Sequence, residues 1–157
     1  MLTHRETQHL PYTTRQIFDL VADVEKYAEF LPWCVASRIL ERHDDEGYIV
    51  AELLIGYKQL RERYTSKVFL ILPPDEHGEC AINVELIKGP FSHLDNRWKF
   101  TPDGEQMCID FTLDFEFRTK LLNKLIGAFF HKATQKMVAA FRGRADEIYG
   151  SKYSVSK

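Results

Sequence analysis

The sequence predicts an α+β domain in which a curved antiparallel sheet wraps around a long C-terminal helix, with two short helices after the first strand. Three observations lead to this fold class. Residues 14–31 have helical spacing that is broken at Leu31-Pro32. Residues 35–117 alternate apolar and polar side chains, which is typical of antiparallel strands with one buried face. Residues 120–149 then return to helical spacing.

The N-terminal elements are predicted from local signals. A first strand is expected at Thr3–Leu10. Thr13 and Gln16 have the spacing of a capping box, in which the two side chains satisfy free amides at the start of a helix, so a helix is expected at Thr14–Ala22. A second short helix follows and must end before Pro32, because the residue that precedes a proline disfavours helical backbone angles.

The later elements are predicted from the change of period. The clearest strand is Met107–Phe117, in which every second residue is apolar, and turns such as Asp44–Gly47 separate the earlier strands. Thr119 can then cap one helix over about residues 120–149. The apolar side chains of that helix fall on one broad stripe. The stripe comprises Leu122, Ile126, Phe129, Ala133, Met137, Ala140, Phe141 and Ile148.

Length and composition indicate a single domain at residues 1–150 and a flexible tail at 151–157. The net charge of −2 argues against a dedicated nucleic-acid binder, whose composition is usually basic. No apolar run approaches the roughly 20 residues of a membrane-spanning helix, and the first residues lack the apolar core of a secretory signal. Because the three cysteines are widely spaced, neither a disulfide framework nor a metal site is expected, and a reducing, cytoplasmic location follows.

Catalytic motifs are missing from the sequence. The six histidines are scattered, and there is no nucleophile elbow, phosphate-binding loop or dinucleotide fingerprint. Asp110, Asp114 and Glu116 share one face of a strand, but that face is the polar side, so solvation explains them better than acid–base chemistry does. We therefore expect a protein that is not an enzyme, with no catalytic residue and no catalytic cofactor.

Several segments, taken in order, resemble one known family. They include residues 21–34 (VADVEKYAEFLPWC), Gly89–Leu94 (GPFSHL), Trp98–Pro102 (WKFTP) and Asp110–Arg118 (DFTLDFEFR). These segments are similar to the START-like coenzyme Q-binding proteins and, to a lesser degree, to their bacterial relatives described as ribosome-association toxins. The resemblance extends over most of the chain and implies a START-like helix-grip fold.

The resemblance also implies a function. It implies that ubiquinone (coenzyme Q) or a related polyprenyl lipid binds in an apolar cavity between the sheet and the C-terminal helix, in support of respiratory electron transport or quinone biosynthesis. The expected protein is a monomer in the cytoplasm, or peripheral at the inner membrane of a bacterium, with transient contact to the membrane surface. The residues expected to bind the ligand are Leu31, Pro32, Trp33, Phe91, Phe111, Phe115, Ile126, Phe129, Ala133, Met137 and Phe141.

Alternatives remain open at this level. Leu31–Trp33 is either the entrance of the cavity or a helix stop whose tryptophan fills the core. Phe91 is either an exposed aromatic residue at the mouth that dips into a membrane or a residue that packs inward. Arg144 either reaches a quinone carbonyl or extends to solvent. The alternative functions are a toxin that binds ribosomal subunits and blocks their joining, and an enzyme similar to polyketide cyclases.

Overall fold

The computed structural model describes residues 1–57 and 60–150, and it confirms the predicted α+β architecture. The flexible tail predicted at residues 151–157 lies outside the described residues. Seven antiparallel strands form one curved sheet in the order β1-β7-β6-β5-β4-β3-β2. The strands are β1 (Leu2–Leu10), β2 (Cys34–His43), β3 (Tyr48–Tyr57), β4 (Leu60–Ile71), β5 (Cys80–Lys88), β6 (Phe91–Asp103) and β7 (Gln106–Phe117).

The order of the strands follows from the turns between them. Each strand from β2 to β6 pairs with the next one in sequence, as short connections allow. The exception is β1, which pairs along its whole length with β7, so that Leu2 faces Phe115 and Leu10 faces Met107. The N-terminal strand therefore forms one edge of the sheet, beside the strand that leads into the C-terminal helices.

The helices after β1 lie where the sequence places them. Helix α1 (Thr14–Ala22) begins with the predicted capping box: the Gln16 amide donates to the Thr13 hydroxyl, and the Thr13 amide donates to the Gln16 side chain, both at 3.0 Å. Its apolar face packs on β5 and β6. A short 3₁₀ helix, Val24–Glu29, follows and ends before Pro32 as expected.

The predicted C-terminal helix is present, but its predicted extent over about residues 120–149 is wrong. The segment forms two helices, α2 (Lys120–Gly127) and α3 (Phe130–Ala145), and Phe129 between them has a φ of −131°, outside the helical range. The break changes which residues face the sheet, and Ile148 of the predicted stripe is 41% exposed. The buried residues of α3 are Phe130, Thr134, Val138, Phe141 and Ala145.

The buried side chains form two clusters on the concave side of the sheet. The larger cluster joins α1 and α3 to the middle strands around Phe18, Phe100 and Trp98. The smaller one, which we call the aromatic cluster, consists of Phe91, Phe115, Phe117 and Phe130. Tyr64 and Leu113 contact both clusters, and Leu122 and Ile126 of α2 pack on the aromatic cluster. Protein side chains do not fill all of the space where the clusters meet.

Candidate ligand-binding cavity

A cavity of about 250 Å³ lies between the concave face of the sheet and the two C-terminal helices. The sheet supplies inward-facing residues of β3 to β7, since alternate residues of a strand share one face. The helices supply Phe130, Thr134 and residues from the predicted stripe. Eight of the eleven predicted ligand-binding residues line this cavity. They are Pro32, Trp33, Phe91, Phe115, Ile126, Phe129, Ala133 and Met137.

The other three predicted residues lie elsewhere. Leu31 and Phe141 line a second cavity of about 120 Å³ toward α1, which shares Tyr64, Met137 and other wall residues with the first. Phe111 lines neither cavity, so the structure removes it from the predicted set of ligand-binding residues. Phe111 is 1% exposed, and its ring lies 4.7 Å from that of Trp98, its partner across β6 and β7, which covers it.

Three aromatic rings stand at one end of the cavity. The Trp33 ring lies 6.1 Å from that of Tyr57, which in turn lies 5.0 Å from that of Phe129. Trp33 is half-buried, so of its two interpretations the structure supports a place in the cavity wall over a place in the core. Its φ of +64° is left-handed, a conformation that costs a residue other than glycine about 1–3 kcal/mol. The Gly56 amide donates to the Trp33 carbonyl at 2.8 Å and helps to hold this conformation.

Phe91 does not protrude from the cavity mouth. The strand β6 begins at Phe91, which pairs with Phe117, and the Phe91 side chain turns inward and is 9% exposed. Its ring lies 5.0 Å from that of Phe117 and 5.4 Å from that of Tyr64. Of the two alternatives for Phe91, the structure therefore shows the inward-packed one, and Phe91 is a wall residue of the cavity.

The polar atoms of the cavity wall are largely satisfied by the protein itself. Asn96 accepts from the Trp98 indole at 3.0 Å and donates to the Thr112 carbonyl at 2.9 Å. The Thr134 hydroxyl donates to the Phe130 carbonyl at 2.9 Å. Among the described lining residues the one charged side chain is that of Glu62. The wall is otherwise aliphatic and aromatic, which suits an apolar ligand.

Tyr64 differs from Asn96 and Thr134 in its hydrogen bonding. Within residues 1–57 and 60–150, no hydrogen-bond partner is found for its hydroxyl, and the residue lines both cavities. Burial raises the pKa of Tyr64 well above its ordinary value, so the hydroxyl stays protonated and can donate. Tyr64 lies four residues from both Leu60 and Val68, a spacing that puts all three on one face of β4, but the predicted site omitted it.

Arg144 is held away from the cavity by other partners. Its Nη2 atom lies 2.8 Å from Oε1 of Glu29 and its Nη1 atom 3.6 Å from Oε2 of Glu147, while the guanidinium lies over the Phe30 ring at 5.2 Å. The hydrogen bond from Arg144 holds the pKa of Glu29 below its usual range. Arg144 lines neither cavity, so its role is to join α3 to the 3₁₀ helix.

The described residues contain neither a metal-binding group nor a membrane-spanning helix. No group of three or more histidine, cysteine, aspartate or glutamate side chains in that part of the chain is arranged to hold a metal ion. No helix in that part is long and apolar enough to cross a membrane.

Comparison with known proteins confirms the family that the sequence resembles. The family model described as "Polyketide cyclase / dehydrase and lipid transport" matches residues 10–142. The Ribosome association toxin RatA of Rickettsia prowazekii (strain Madrid E) is 38% identical over 148 residues, 94% of this chain and 99% of that protein. The Coenzyme Q-binding protein COQ10 homolog B, mitochondrial, of Xenopus laevis is 33% identical over 153 residues, 95% of this chain and 60% of that protein.

The fold is also found in a distant protein of known structure. Human StAR-related lipid transfer protein 5 superposes on this chain with a TM-score of 0.76, covering 94% of this chain and 76% of its own. At 10% identity, that likeness concerns the fold alone. It confirms the helix-grip arrangement, in which a curved sheet surrounds the C-terminal helix.

Proposed function

This chain belongs to the polyketide cyclase/dehydrase and lipid transport family, and we propose that it binds a polyprenyl quinone such as ubiquinone, or a related isoprenoid lipid, without catalysing a reaction on it. The observation that carries this proposal is the cavity of about 250 Å³ with its apolar wall. The name of the Xenopus relative, a coenzyme Q-binding protein, supports the choice of a quinone. The proposed role is to shelter the lipid in support of respiratory electron transport or quinone biosynthesis.

The isoprenoid tail would be held by burial alone. Ile126, Phe129 and Met137 present apolar surface from the helices, opposite the aromatic side chains of the sheet. Each Å² of apolar surface that the tail buries there is worth about 25 cal/mol, so no polar contact along the tail is needed. Met137 adds a flexible side chain that can adapt to tails of different shape.

The quinone ring would be oriented by Tyr64. Its protonated hydroxyl can donate to a quinone carbonyl where the two cavities meet. Tyr64→Phe removes only this donor, and a hydrogen bond to a neutral acceptor contributes about 0.5–1.5 kcal/mol. We therefore expect the affinity for a quinone to fall about 2- to 10-fold, while the affinity for an isoprenoid without a ring carbonyl is unchanged.

Mass spectrometry of organic extracts tests the proposal directly. The protein is purified from a host that makes polyprenyl quinones, together with Ala133→Trp, which places an indole in the cavity. The matched control is Ala139→Trp, which adds the same group at an exposed position of the same helix. We expect a polyprenyl lipid in the parent and the control but not in Ala133→Trp. Equal retention in all three proteins, or none in the parent even after reloading, would refute it.

The second candidate function is binding to a ribosomal subunit. It is supported by the Rickettsia relative, which is named a ribosome association toxin and is matched over 99% of its length. Contacts with RNA phosphates release counterions, so such binding should weaken steeply with salt. Sedimentation profiles of ribosomes with added protein distinguish this function, because a loss of joined subunits that the Ala133→Trp variant still produces would not depend on the cavity.

A further inference from the structure

The charges of this chain are segregated, although its net charge is only −2. Residues 118–145 contain seven of the 21 lysines and arginines and no aspartate or glutamate. The rest of the chain therefore has 14 basic residues and all 23 acidic ones. The cationic segment coincides with α2, α3 and the short turn before them, so the two C-terminal helices form a positive surface on an otherwise acidic protein.

The charges of this segment are not neutralised within the fold. Among the residues that the structure describes, only Arg144 of the seven forms ion pairs, with Glu29 and Glu147. The other six side chains are exposed and face solvent without an acidic partner in that part of the chain. They are Arg118, Lys120, Lys124, Lys132, Lys136 and Arg142.

Helix α2 adds two exposed leucines to this cationic surface. Leu121 is 69% exposed and Leu125 is 55% exposed, and their spacing of four residues places them on one face. Each directly follows a lysine, Lys120 or Lys124. Single exposed leucines are ordinary, but an apolar pair among lysines is the pattern of a helix that lies in the interface of an anionic bilayer.

We propose that α2, with Leu121 and Leu125 at its centre, docks this protein onto an anionic lipid bilayer. The leucines would enter the boundary between headgroups and acyl chains, while the lysines lie against lipid phosphates. The lysines would also attract RNA, but a leucine pair gains nothing from a phosphate backbone, so the surface fits a bilayer better. Phe91, the other candidate for a membrane contact, is buried and does not offer such a surface.

Docking through α2 has a consequence for the cavity. Ile126 of α2 and the adjacent Phe129 line the cavity, so docking would bring that end of it to the membrane surface. A lipid could then pass between bilayer and protein without crossing water. This consequence rests on the proposed function, whereas the docking itself does not.

Co-sedimentation of the full chain with lipid vesicles tests the docking. The vesicles contain phosphatidylcholine alone or with phosphatidylglycerol, and we expect binding only to the anionic ones. Lys120→Gln with Lys124→Gln should weaken binding roughly 25-fold, at about fivefold per lysine. Leu121→Ser with Leu125→Ser should weaken it at least about tenfold. The matched control, Leu72→Ser with Ile87→Ser, removes two apolar side chains that are 61% and 50% exposed and should bind like the parent.

The outcomes separate docking from its alternatives. Absence of binding by the parent, or an equal loss in the control, would overturn the proposal. A loss in the lysine variant without a loss in the leucine variant, together with retention on an RNA homopolymer, would assign the surface to RNA instead. Ala133→Trp should still bind vesicles. A parent protein that binds vesicles but carries no lipid on extraction would support docking and refute the proposed function.

Discussion

Two adjacent phenylalanines at the break between α2 and α3 should respond to alanine substitution to different degrees. Phe130 is 3% exposed, and its ring lies 4.9 Å from that of Phe115. Both residues line the cavity, but Phe129 is only half-buried, and its ring centroid lies 5.0 Å from that of Tyr57. We therefore expect Phe130→Ala to lower the free energy of unfolding strongly, and Phe129→Ala to affect mainly ligand retention.

The size of the effect on stability follows from the burial of the two rings. A buried aromatic side chain removes roughly 150–250 Å² from water, which at about 25 cal/mol per Å² is an upper limit of about 4–6 kcal/mol. Replacing a core phenylalanine by alanine costs about 3–5 kcal/mol. For Phe130→Ala, about 4 kcal/mol lowers the Tm by roughly 8–16 °C in a chain of this size. Phe129→Ala should cost less than this, because its ring is more exposed than that of Phe130.

Urea unfolding of lipid-free protein, followed by circular dichroism, measures both values. Each variant is the matched control of the other, because the same atoms are removed one residue apart. A larger loss of stability in Phe129→Ala than in Phe130→Ala would refute the break between α2 and α3. A continuous helix in phase with the predicted stripe would bury Phe129 and expose Phe130.

Three further predictions concern α1, α2 and a buried thiol. Thr13→Ala should lower the free energy of unfolding by about 1 kcal/mol in urea, because the Gln16 amide loses its cap, and Thr13→Ser should restore most of it. Asn123 is bonded to the Phe117 amide and carbonyl at 2.8 and 3.1 Å, so Asn123→Ala should speed amide exchange in α2 while the sheet stays protected. Burial raises the pKa of the Cys80 thiol from 9.0 to about 11, so the thiol loses its proton at lower pH in the unfolded chain than in the folded one. The free energy of unfolding should therefore fall as the pH rises from 9 to 11, and it should fall less in Cys80→Ala.

The elements that the sequence predicts well are those fixed by neighbouring residues. The capping box of Thr13 and Gln16 is a local structure, and the start of α1 lies where that pair places it. The strand β7 has strict alternation, and its predicted Met107–Phe117 differs from the observed Gln106–Phe117 by one residue. Such elements form where the sequence predicts them because tertiary contacts do not favour a different local structure.

The C-terminal helices show where local signals are insufficient. The sequence of α2 allows two overlapping apolar faces, formed by Leu121 with Leu125 and by Leu122 with Ile126. Periodicity alone does not tell which of the two faces packs on the sheet. Packing against the aromatic cluster selects the face: Phe130 is buried in the cluster, Leu122 and Ile126 pack on it, and Leu121 and Leu125 remain exposed. Gly127 was the one sequence signal for the break, because glycine weakens a helix; in the structure α2 ends at Gly127.

The residues of the candidate site were also predicted only in part. Trp33, Phe129 and Ala133 were predicted from the sequence and its resemblance, and they line the cavity. Tyr64 was missed, because an inward position on a strand does not tell whether a side chain meets another side chain or a cavity. Phe111 was wrongly included for the same reason: four residues from Phe115 on one face of β7, it is covered by Trp98.

The cavity itself favours a ligand-binding function over one that uses the surface alone. The space of about 250 Å³ is bounded mainly by apolar side chains, which make no packing contacts on the side that faces it. Larger side chains at Ala133 and Thr134 would supply part of those contacts. A protein that acted only through its cationic helices would gain stability from such a filled core, whereas a lipid-binding protein needs the space.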